Sequence, residues 1–380
     1  MNQPVPDFLR DLYRQCLHEP ALAKGLIQKH IVKNRSLGSK RRRLYQQWII
    51  DGLRWKNVYQ KTLATDTSLT TYNAILDEHI AALQNKMYQN IEDLADDFSF
   101  SCDLVTSLAK KYSFSDIAKI LLSMHTPAEV FLRMNTYLQT PPQIQKSLQQ
   151  DGIEVEKVPD LPFALKVLRK AQLTKCHAYK KGWVDIQDYG SQMIVDHMQL
   201  GPKLNIVDGC CRTGGKSLAM QNYTQGQSTI HAVDIDTRVF TELQKRSKRM
   251  QATHIHTYDI PAEDPNPLPQ LAGKADRVLV DAPCSSFGTL KRRPWLKYQY
   301  NADDIKKFAV IQLEVLQRQC QWVKPGGLLI YAVCSILPEE TTEVVTQFLQ
   351  MQTGFSSHIE KYILPYQSSG DGFYLHVLKR

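Results

Sequence analysis

Five short apolar runs in the second half of the chain constrain its fold more than any other feature. Each run closes on an aspartate or a cysteine, and together they comprise residues 204–208, 230–234, 254–259, 277–281 and 328–334. Helical stretches separate the runs, and a further run follows a Gly-Asp-Gly turn at 373–378. Strands that alternate with helices form a parallel sheet covered on both faces. We therefore predict a doubly wound α/β domain whose ligands bind outside the carboxyl ends of the strands.

Two other patterns precede this domain. Residues 1–125 carry apolar side chains at helical spacing and predict an all-helical domain, which Thr126-Pro127 ends because the residue before proline disfavours helix. Residues 126–200 combine a strand at 130–134 with a helix from 142, and predict a small α/β subdomain. The chain is therefore divided into three predicted domains, over residues 1–125, 126–200 and 201–380.

Composition narrows the class of protein. The net charge of +9 favours a polyanionic partner, because basic side chains displace counterions from phosphates. The eight cysteines form no C-x-x-C pair, so neither disulfides nor bound metal is predicted. The start of the chain shows no targeting segment, and no apolar run is long enough to span a membrane. We expect a cytoplasmic monomer with no metal and no membrane partner.

The loop after the first predicted strand has the composition of a cofactor site. It reads DGCCRTGGKS over residues 208–217, with glycines where backbone amides approach a ligand closely. It lacks G-x-G-x-x-G and G-x-x-x-x-G-K-[ST], so NAD and ATP lose support, and a plain strand-to-helix turn is the alternative. The residues predicted to bind cofactor here are Cys210, Cys211, Arg212, Thr213, Gly214, Gly215 and Lys216.

Acids close the next strands of the predicted sheet. Asp234 ends the second strand, where doubly wound domains place an acid that accepts hydrogen bonds from a ribose diol. Asp259 ends the third and is a candidate for an adenine edge, although an acid there is as often a helix cap. Asp281, which ends the fourth, is a further candidate cofactor ligand.

Two cysteines follow neighbouring strands of the predicted sheet. Cys284 lies three residues beyond Asp281, and Cys334 closes the fifth run; each is followed by serine. One free cysteine is usually a small buried hydrophobe. Two at adjacent strand ends, one of them near an acid, indicate a reactive site instead.

Several segments resemble the RsmB/NOP (NSUN) RNA cytosine-5 methyltransferases over about two thirds of the chain. VLVDAPCSSFGTLKRRP at 278–294 is similar to the family's D-A-P-C-S-G-x-G segment, and GGLLIYAVCSILPEE at 326–340 to its second-cysteine segment. The loop at 208–217 resembles C-A-A-P-G-G-K-T, and DGF at 371–373 resembles the closing motif. FLRMN at 131–135 and GWVDIQDYGSQ at 182–192 are similar to segments that precede the catalytic domain.

The resemblance implies a fold, a cofactor and a partner. The fold is a Rossmann-like class I methyltransferase domain that binds S-adenosyl-L-methionine, and the partner is RNA, with ribosomal RNA favoured over transfer RNA. The helical region, including the basic run at 40–43, is similar to the NusB-like RNA-binding extension of some bacterial members. Whether residues 35–43 contact RNA or form a solvated helix face remains open.

The resemblance also implies roles for individual residues. It assigns attack on carbon 6 of cytosine to Cys334 and release of the product to Cys284. Asp281 would hydrogen-bond the base edge, with Lys216 helping to orient the base. We further expect Phe373 to pack against the target ring, and Arg292 and Arg293 to bind RNA. Chemistry alone leaves the nucleophile open, because DNA cytosine-5 methyltransferases use a cysteine that follows proline, as Cys284 does.

The chain departs from the family pattern at five positions and leaves two other functions open. The departures are Arg212 for alanine, Thr213 for proline, Ser286 for glycine, Val333 for threonine and Thr341 for asparagine. Arg212 and Thr213 are expected to affect cofactor affinity or orientation.

Two other functions stay open. One alternative function is an inactive RNA-binding or ribosome-assembly factor with the same fold. The other is a methyltransferase of proteins or small molecules, in which two thiols would lack a purpose.

Overall fold

The computed structural model describes residues 5–63, 69–84, 86–261, 264, 268–368 and 370–380. The chain folds into two compact units. The first comprises Met1–Pro127 and Ser285–Lys306, and the second comprises Ala128–Cys284 and Lys307–Arg380. Residues 285–306, which the sequence grouped with the predicted α/β domain, thus belong with the helices. The division into three domains stays a prediction.

The first unit begins with a series of helices, as the apolar spacing predicted. Side chains of Asn90, Ser101 and Ser113 accept hydrogen bonds from backbone amides at three helix starts, which fixes where those helices begin. The helices are α1 (Asp7–His18), α2 (Ala23–Ile27), α3 (Ser39–Arg54), α4 (Lys56–Leu63), α5 (Leu69–Leu83), α6 (Ile91–Asp97), α7 (Cys102–Ala109) and α8 (Phe114–Met124).

Residues 285–306 are anchored to these helices by buried polar contacts. The Arg54 guanidinium donates to the Lys291 carbonyl at 2.8 Å, and Lys297 donates to the Arg54 carbonyl at 2.6 Å. Tyr298 donates its hydroxyl to the Leu53 carbonyl at 2.8 Å. The segment that follows Cys284 in sequence is therefore held by the end of α3.

The second unit contains a small antiparallel sheet in its first part. Its strand order is β2-β3-β1-β4, with β1 (Val130–Met134), β2 (Val155–Lys157), β3 (Ala164–Val167) and β4 (Val184–Ile186). The helices α9 (Pro141–Gln150) and α10 (His177–Lys180) accompany these strands, and α11 (Tyr189–Asp196) follows. Leu132, Leu165 and Val184 share one apolar core with Ile144 of α9.

The larger sheet of the second unit has seven strands in the order β10-β11-β9-β8-β5-β6-β7. The pairs from β7 to β9 are parallel, and β11 is antiparallel to both β9 and β10. The strands are β5 (Asn205–Asp208), β6 (Thr229–Asp234), β7 (Ile255–Asp259), β8 (Ala275–Asp281), β9 (Val323–Val333), β10 (Ser356–Ile363) and β11 (Phe373–Lys379). The helices are α12 (Gly215–Tyr223), α13 (Arg238–Arg249), α14 (Ala302–Gln319), α15 (Thr342–Met351) and α16 (Pro365–Ser368); the first residues of α14, up to Lys306, belong to the first unit.

This sheet confirms the predicted doubly wound α/β fold. Adjacent residues of β5 point into different cores, because Ile206 and Val207 lie in separate apolar clusters on the two faces. Burial on both faces explains why these strands read as continuous apolar runs. The edge strand β10 was not predicted, since its sequence SSHIEKYI is largely polar and exposed. Among the described residues, no helix is both long and apolar enough to cross a membrane.

Candidate active site

Two thiols meet where β8 and β9 end. Asp281 pairs with Ala332 in the parallel ladder, so the chain beyond each strand leaves the sheet at the same edge. The Sγ atoms of Cys284 and Cys334 lie 3.3 Å apart, and both residues are partly exposed. The predicted meeting of the two cysteines therefore occurs within the second unit. A nucleophilic thiol needs this combination of access and a polar setting.

Lys216 and Asp281 form an ion pair in the same unit. The ammonium lies 2.5 Å from Asp281 Oδ2, and the Lys216 side chain is 11% exposed. Burial lowers the pKa of Lys216, but the Asp281 carboxylate outweighs it, so the pKa lies above its usual value. Asp208 and Cys334 act on that pKa in the same direction as Asp281. Lys216 is therefore a fixed cation near Cys334.

Two glycines of the predicted cofactor loop, residues 208–217, differ in their surroundings. Gly214 adopts φ +75, and a Cβ there would lie 2.6 Å from Leu243 Cγ, so a larger residue would be both strained and crowded. Around Gly215, in contrast, the nearest atom to such a Cβ is 3.6 Å away. Helix α12 begins at Gly215, with Lys216 in its first turn. A helix start preceded by glycine leaves amides free to face a ligand.

Asp208 lies buried beneath this loop. Its Oδ2 accepts a hydrogen bond from Ser217 at 2.6 Å, whereas its buried Oδ1 has no hydrogen-bond partner. Burial raises the pKa of Asp208 to about 7, with smaller contributions from nearby groups. An orphaned buried oxygen costs about 1–3 kcal/mol. A polar ligand that donated a hydrogen bond here would recover part of that cost.

The other predicted acids occupy the ends of β6 and β7. Both carboxylate oxygens of Asp234 accept backbone amides, from Arg212 at 2.8 Å and Asp236 at 3.0 Å. Asp259 is exposed and pairs in register with Asp234. The two acids thus lie side by side, and Asp234 also fixes the backbone of the predicted cofactor loop.

The two cysteines inside the loop differ from the thiol pair. Burial raises the pKa of Cys210 and of Cys211, and nearby aspartates add to the effect. Both side chains therefore remain neutral thiols at physiological pH. Neither therefore has the lowered pKa that a nucleophilic thiol needs, and their predicted contact with a cofactor stays a prediction.

A buried cluster of charges supports the loop, and it was not predicted from the sequence. Asp185 of β4 faces three guanidiniums, with nitrogens of Arg133, Arg246 and Arg249 at 3.5, 2.5 and 2.8 Å from its oxygens. Burial raises the pKa of Asp185, but the arginines outweigh it, so the pKa lies below its usual value. Arg246 also donates to the carbonyl of Thr213 at 2.8 Å.

The five departures from the family pattern make different contacts in the structure. Arg246 donates to the Thr213 hydroxyl at 3.1 Å, a contact that proline could not make. Arg212 and Ser286 adopt φ of 50 and 58, a left-handed region that costs non-glycine residues about 1–2 kcal/mol. Thr341 bonds the Tyr362 hydroxyl at 2.7 Å. Val333 is buried in the sheet core, and nothing else distinguishes it.

Three predicted substrate contacts occupy different places. Phe373 is 4% exposed, and the Lys216 ammonium lies 5.8 Å from its ring centroid. The ring packs on Gly190, where a Cβ would lie 2.1 Å from Phe373 Cδ2. Arg292, which is partly exposed, and Arg293, which is exposed, belong to the first unit, whereas the thiols belong to the second. Their roles in substrate binding stay predictions.

A second buried network adjoins the thiols and was also not predicted. Gln312 of α14 donates to the Pro283 carbonyl at 3.0 Å and to Glu340 Oε1 at 3.1 Å. Glu340 Oε2 accepts the hydroxyl of Ser335 at 2.5 Å. Within the part of the chain that the structure describes, no group of three or more His, Cys, Asp or Glu side chains could hold a metal ion.

Comparison with known proteins agrees with this geometry. The family described as 16S rRNA methyltransferase RsmB/F matches residues 197–379, which include the thiols, the ion pair and the cofactor loop. The ferredoxin-like domain of RsmF/B-like methyltransferases matches residues 104–174. The chain belongs to the RsmB/F methyltransferase family.

Individual relatives of the RsmB/F type are similar to this chain in sequence. The chain is 28% identical over 286 residues to the ribosomal RNA small subunit methyltransferase B of Photorhabdus laumondii, covering 73% of this chain and 66% of the relative. It is 28% identical over 300 residues to the probable ribosomal RNA small subunit methyltransferase B of Bacillus subtilis, covering 73% and 65%. The matched regions thus span slightly less than two thirds of both relatives.

The fold of this RsmB/F member also occurs in a solved structure. The crystal structure of NSun6 from Pyrococcus horikoshii with SFG superposes with a TM-score of 0.67 and 16% sequence identity. The superposition covers 74% of this chain and 98% of that protein. At this identity the likeness concerns the fold alone.

Proposed function

We propose that this chain transfers a methyl group from S-adenosyl-L-methionine to carbon 5 of a cytosine in RNA. The observation that carries the proposal is the pair of thiols 3.3 Å apart, with the Lys216–Asp281 ion pair in the same unit. The names of the relatives favour ribosomal RNA over transfer RNA as the substrate. The net charge of +9 is consistent with either.

Cys334 performs the first chemical step. Carbon 5 of cytosine is a poor nucleophile until a thiolate adds to carbon 6, which moves the ring electrons toward carbon 5 and N3. A cation near a thiol favours its ionised form, and Lys216 supplies one. The Asp281 carboxylate then accepts hydrogen bonds from the N4 amino group and from N3, which takes up a proton from solvent as electron density builds there.

The cofactor loop holds the methyl donor. When bound, S-adenosyl-L-methionine supplies an electrophilic methyl group on a sulfonium. The amides at the start of α12 and the orphaned oxygen of Asp208 suit polar groups of such a ligand, and Asp234 and Asp259 suit those of its nucleoside. The similar fold of NSun6, solved with SFG, is consistent with a cofactor of this class.

Cys284 completes the reaction. After methylation, carbon 5 carries both the new methyl group and its original proton. Removal of that proton returns an electron pair to the ring, re-forms the double bond between carbons 5 and 6, and expels Cys334 as a thiolate. A thiolate of Cys284, which lies beside Cys334, is positioned to take the proton.

Trapping with RNA that contains 5-fluorocytosine tests this division of roles. Fluorine at carbon 5 leaves no proton to remove, so the covalent adduct persists and migrates as a protein-RNA band on denaturing gels. We expect the adduct with the wild type and with Cys284→Ala, and none with Cys334→Ala. An adduct that survives Cys334→Ala but is lost in Cys284→Ala would instead assign the attack to Cys284.

Bisulfite sequencing identifies the substrate. RNA from cells with and without the gene should differ at one protected cytosine, which names the RNA and the position. An unchanged pattern in every RNA, together with measurable cofactor binding, would favour an inactive RNA-binding or ribosome-assembly factor.

A further inference from the structure

Helix α14 carries two buried glutamines on one face. Gln312 and Gln319 are seven positions apart, close to two full helical turns, so their side chains leave the helix in nearly the same direction. Both are completely buried. A buried amide that finds no hydrogen-bond partners destabilises the fold. Two buried amides on one helix face therefore need hydrogen-bond partners in the structure around α14.

Gln312 is bonded to both loops that carry the thiols. Its Nε2 donates at 3.0 Å to the carbonyl of Pro283, the residue before Cys284. The same Nε2 donates to Glu340, whose other oxygen accepts from Ser335, the residue after Cys334. Its Oε1 accepts the Tyr331 hydroxyl at 3.0 Å, which fixes the orientation of the amide. One side chain thus contacts the backbone beside Cys284 directly and, through Glu340, the side chain of the residue that follows Cys334.

Gln319 is bonded to the cofactor loop. Its Nε2 donates to the Gly209 carbonyl at 2.7 Å, in the residue that directly follows β5. The contact is so close that a Cβ on Gly209 would lie 1.7 Å from Gln319 Oε1. A side chain at 209 would therefore displace the Gln319 amide from this position. The sequence, which showed a glycine here, gave no indication of this partner.

We propose that Gln312 and Gln319 are positioning residues, and that α14 sets the separation between the thiol pair and the cofactor loop. Seven residues of helix span about 10 Å and cannot stretch without loss of hydrogen bonds. Methyl transfer requires the sulfur nucleophile, the base and the methyl donor to be aligned, and displacement by about 1 Å can cost about 100-fold in rate. The proposal rests on the proposed methyltransferase function.

The test uses the whole 380-residue chain with three matched substitutions. Gln312→Met and Gln319→Met remove the amides but keep the side-chain length. Gln317→Met, on the same helix, is the control, because its amide contacts Met351 Sδ at 2.9 Å and no active-site loop. Tyr331→Phe and Gly209→Ala serve as second variants, since they disturb the same contacts without altering α14.

Two measurements separate positioning from loss of folding. Diamide accepts two electrons and two protons from neighbouring thiols and leaves a disulfide; peptide mass spectrometry gives the rate at which Cys284 and Cys334 are joined. Calorimetry gives the affinity for S-adenosyl-L-methionine without RNA. We expect Gln312→Met to slow the disulfide about tenfold with cofactor affinity unchanged, and Gln319→Met to weaken cofactor binding about tenfold with the disulfide rate unchanged. The control should change neither.

Failure of the positioning role and failure of the proposed function give different results. Variants that fold but leave both readouts at wild-type values would overturn the proposal, as would equal changes in both readouts that follow the loss of melting temperature. A wild type that binds no S-adenosyl-L-methionine would refute the proposed function. The disulfide rates would still report whether Gln312 positions the thiols.

Discussion

Cys284 Sγ lies 3.3 Å from Cys334 Sγ, although 50 positions separate the two residues in sequence. The register of β8 against β9, with Asp281 opposite Ala332, produces this approach. Two thiols at this distance can act on one substrate atom and its neighbour. Several consequences of the proposed chemistry and of the surrounding contacts are open to measurement.

Cys284→Ala should accumulate a covalent complex with unmodified RNA. Loss of the proposed base leaves the methylated ring attached to Cys334, because elimination needs removal of the carbon 5 proton. A denaturing gel of the variant with labelled RNA and S-adenosyl-L-methionine should show the complex, and Cys334→Ala added to it should abolish the band. Normal turnover by Cys284→Ala would show that another group removes the proton.

Asp281→Asn should lower methyl transfer by about 10²–10³-fold, because it removes both the contact to the base and the partner of Lys216. Without Asp281, burial becomes the main influence on Lys216 and lowers the pKa of its ammonium. The rate should therefore fall with rising pH earlier than in the wild type. Steady-state rates between pH 6 and pH 9.5 test this, with Asp303→Asn, whose partner Lys306 is exposed, as the control.

Lys297→Met should remove a pH-dependent penalty on the stability of the first unit, since the buried amine, which donates to the Arg54 and Phe98 carbonyls, is replaced by a side chain that cannot be charged. Burial, with help from Lys56 and Arg54, holds the pKa of Lys297 well below its usual value. Wild-type stability should then rise with pH from that lowered pKa toward about 10.5, whereas the variant should lack this increase. Thermal unfolding from pH 7 to pH 9.5 measures the difference, and equal slopes in both proteins would contradict it. Lys306→Met is the control, because Lys306 is 70% exposed.

Asp185→Asn should destabilise the second unit by about 3–5 kcal/mol, because three guanidiniums lose their buried counter-charge. Arg246 also bonds Thr213, so cofactor affinity should fall with it. Urea unfolding and calorimetry report the two effects. Asp236→Asn, which removes the partner of the exposed Arg238, should alter neither the melting temperature nor the affinity measurably. A similar loss in both variants would show that the cluster has no special role.

Ser286→Gly should stabilise the first unit by about 1 kcal/mol, because φ of 58 is strained for serine and unstrained for glycine. Ser286→Ala keeps the strain and should bring no gain. Thermal unfolding of both variants tests the point. A loss of stability with glycine would mean that contacts of the serine side chain outweigh the strain.

Much of the fold and part of the site followed from local pattern. The parallel strands are apolar over their length because both faces are buried, and their ends were marked by acids and cysteines, so β5 to β9 were predicted closely. The strand β10 was missed because an edge strand exposes polar residues. The thiols and Asp281 were predicted because reactive side chains at adjacent strand ends are uncommon, and Lys216 was predicted from the family resemblance of its loop. Their roles, and those of the loop residues, remain predictions.

The sequence by itself determined where most strands and helices lie along the chain. It also determined the position of the glycine loop and of the two cysteines at neighbouring strand ends. These features depend on contacts within a few residues or on the period of one element. Only the tertiary structure decided that residues 285–306 belong with the helices, that Asp185 neutralises three arginines, and that Gln312 and Gln319 reach the two active-site loops. Each of these joins polar groups far apart in sequence. A hydrogen bond between such groups produces no repeating pattern in the sequence around either residue, so it cannot be predicted from local pattern.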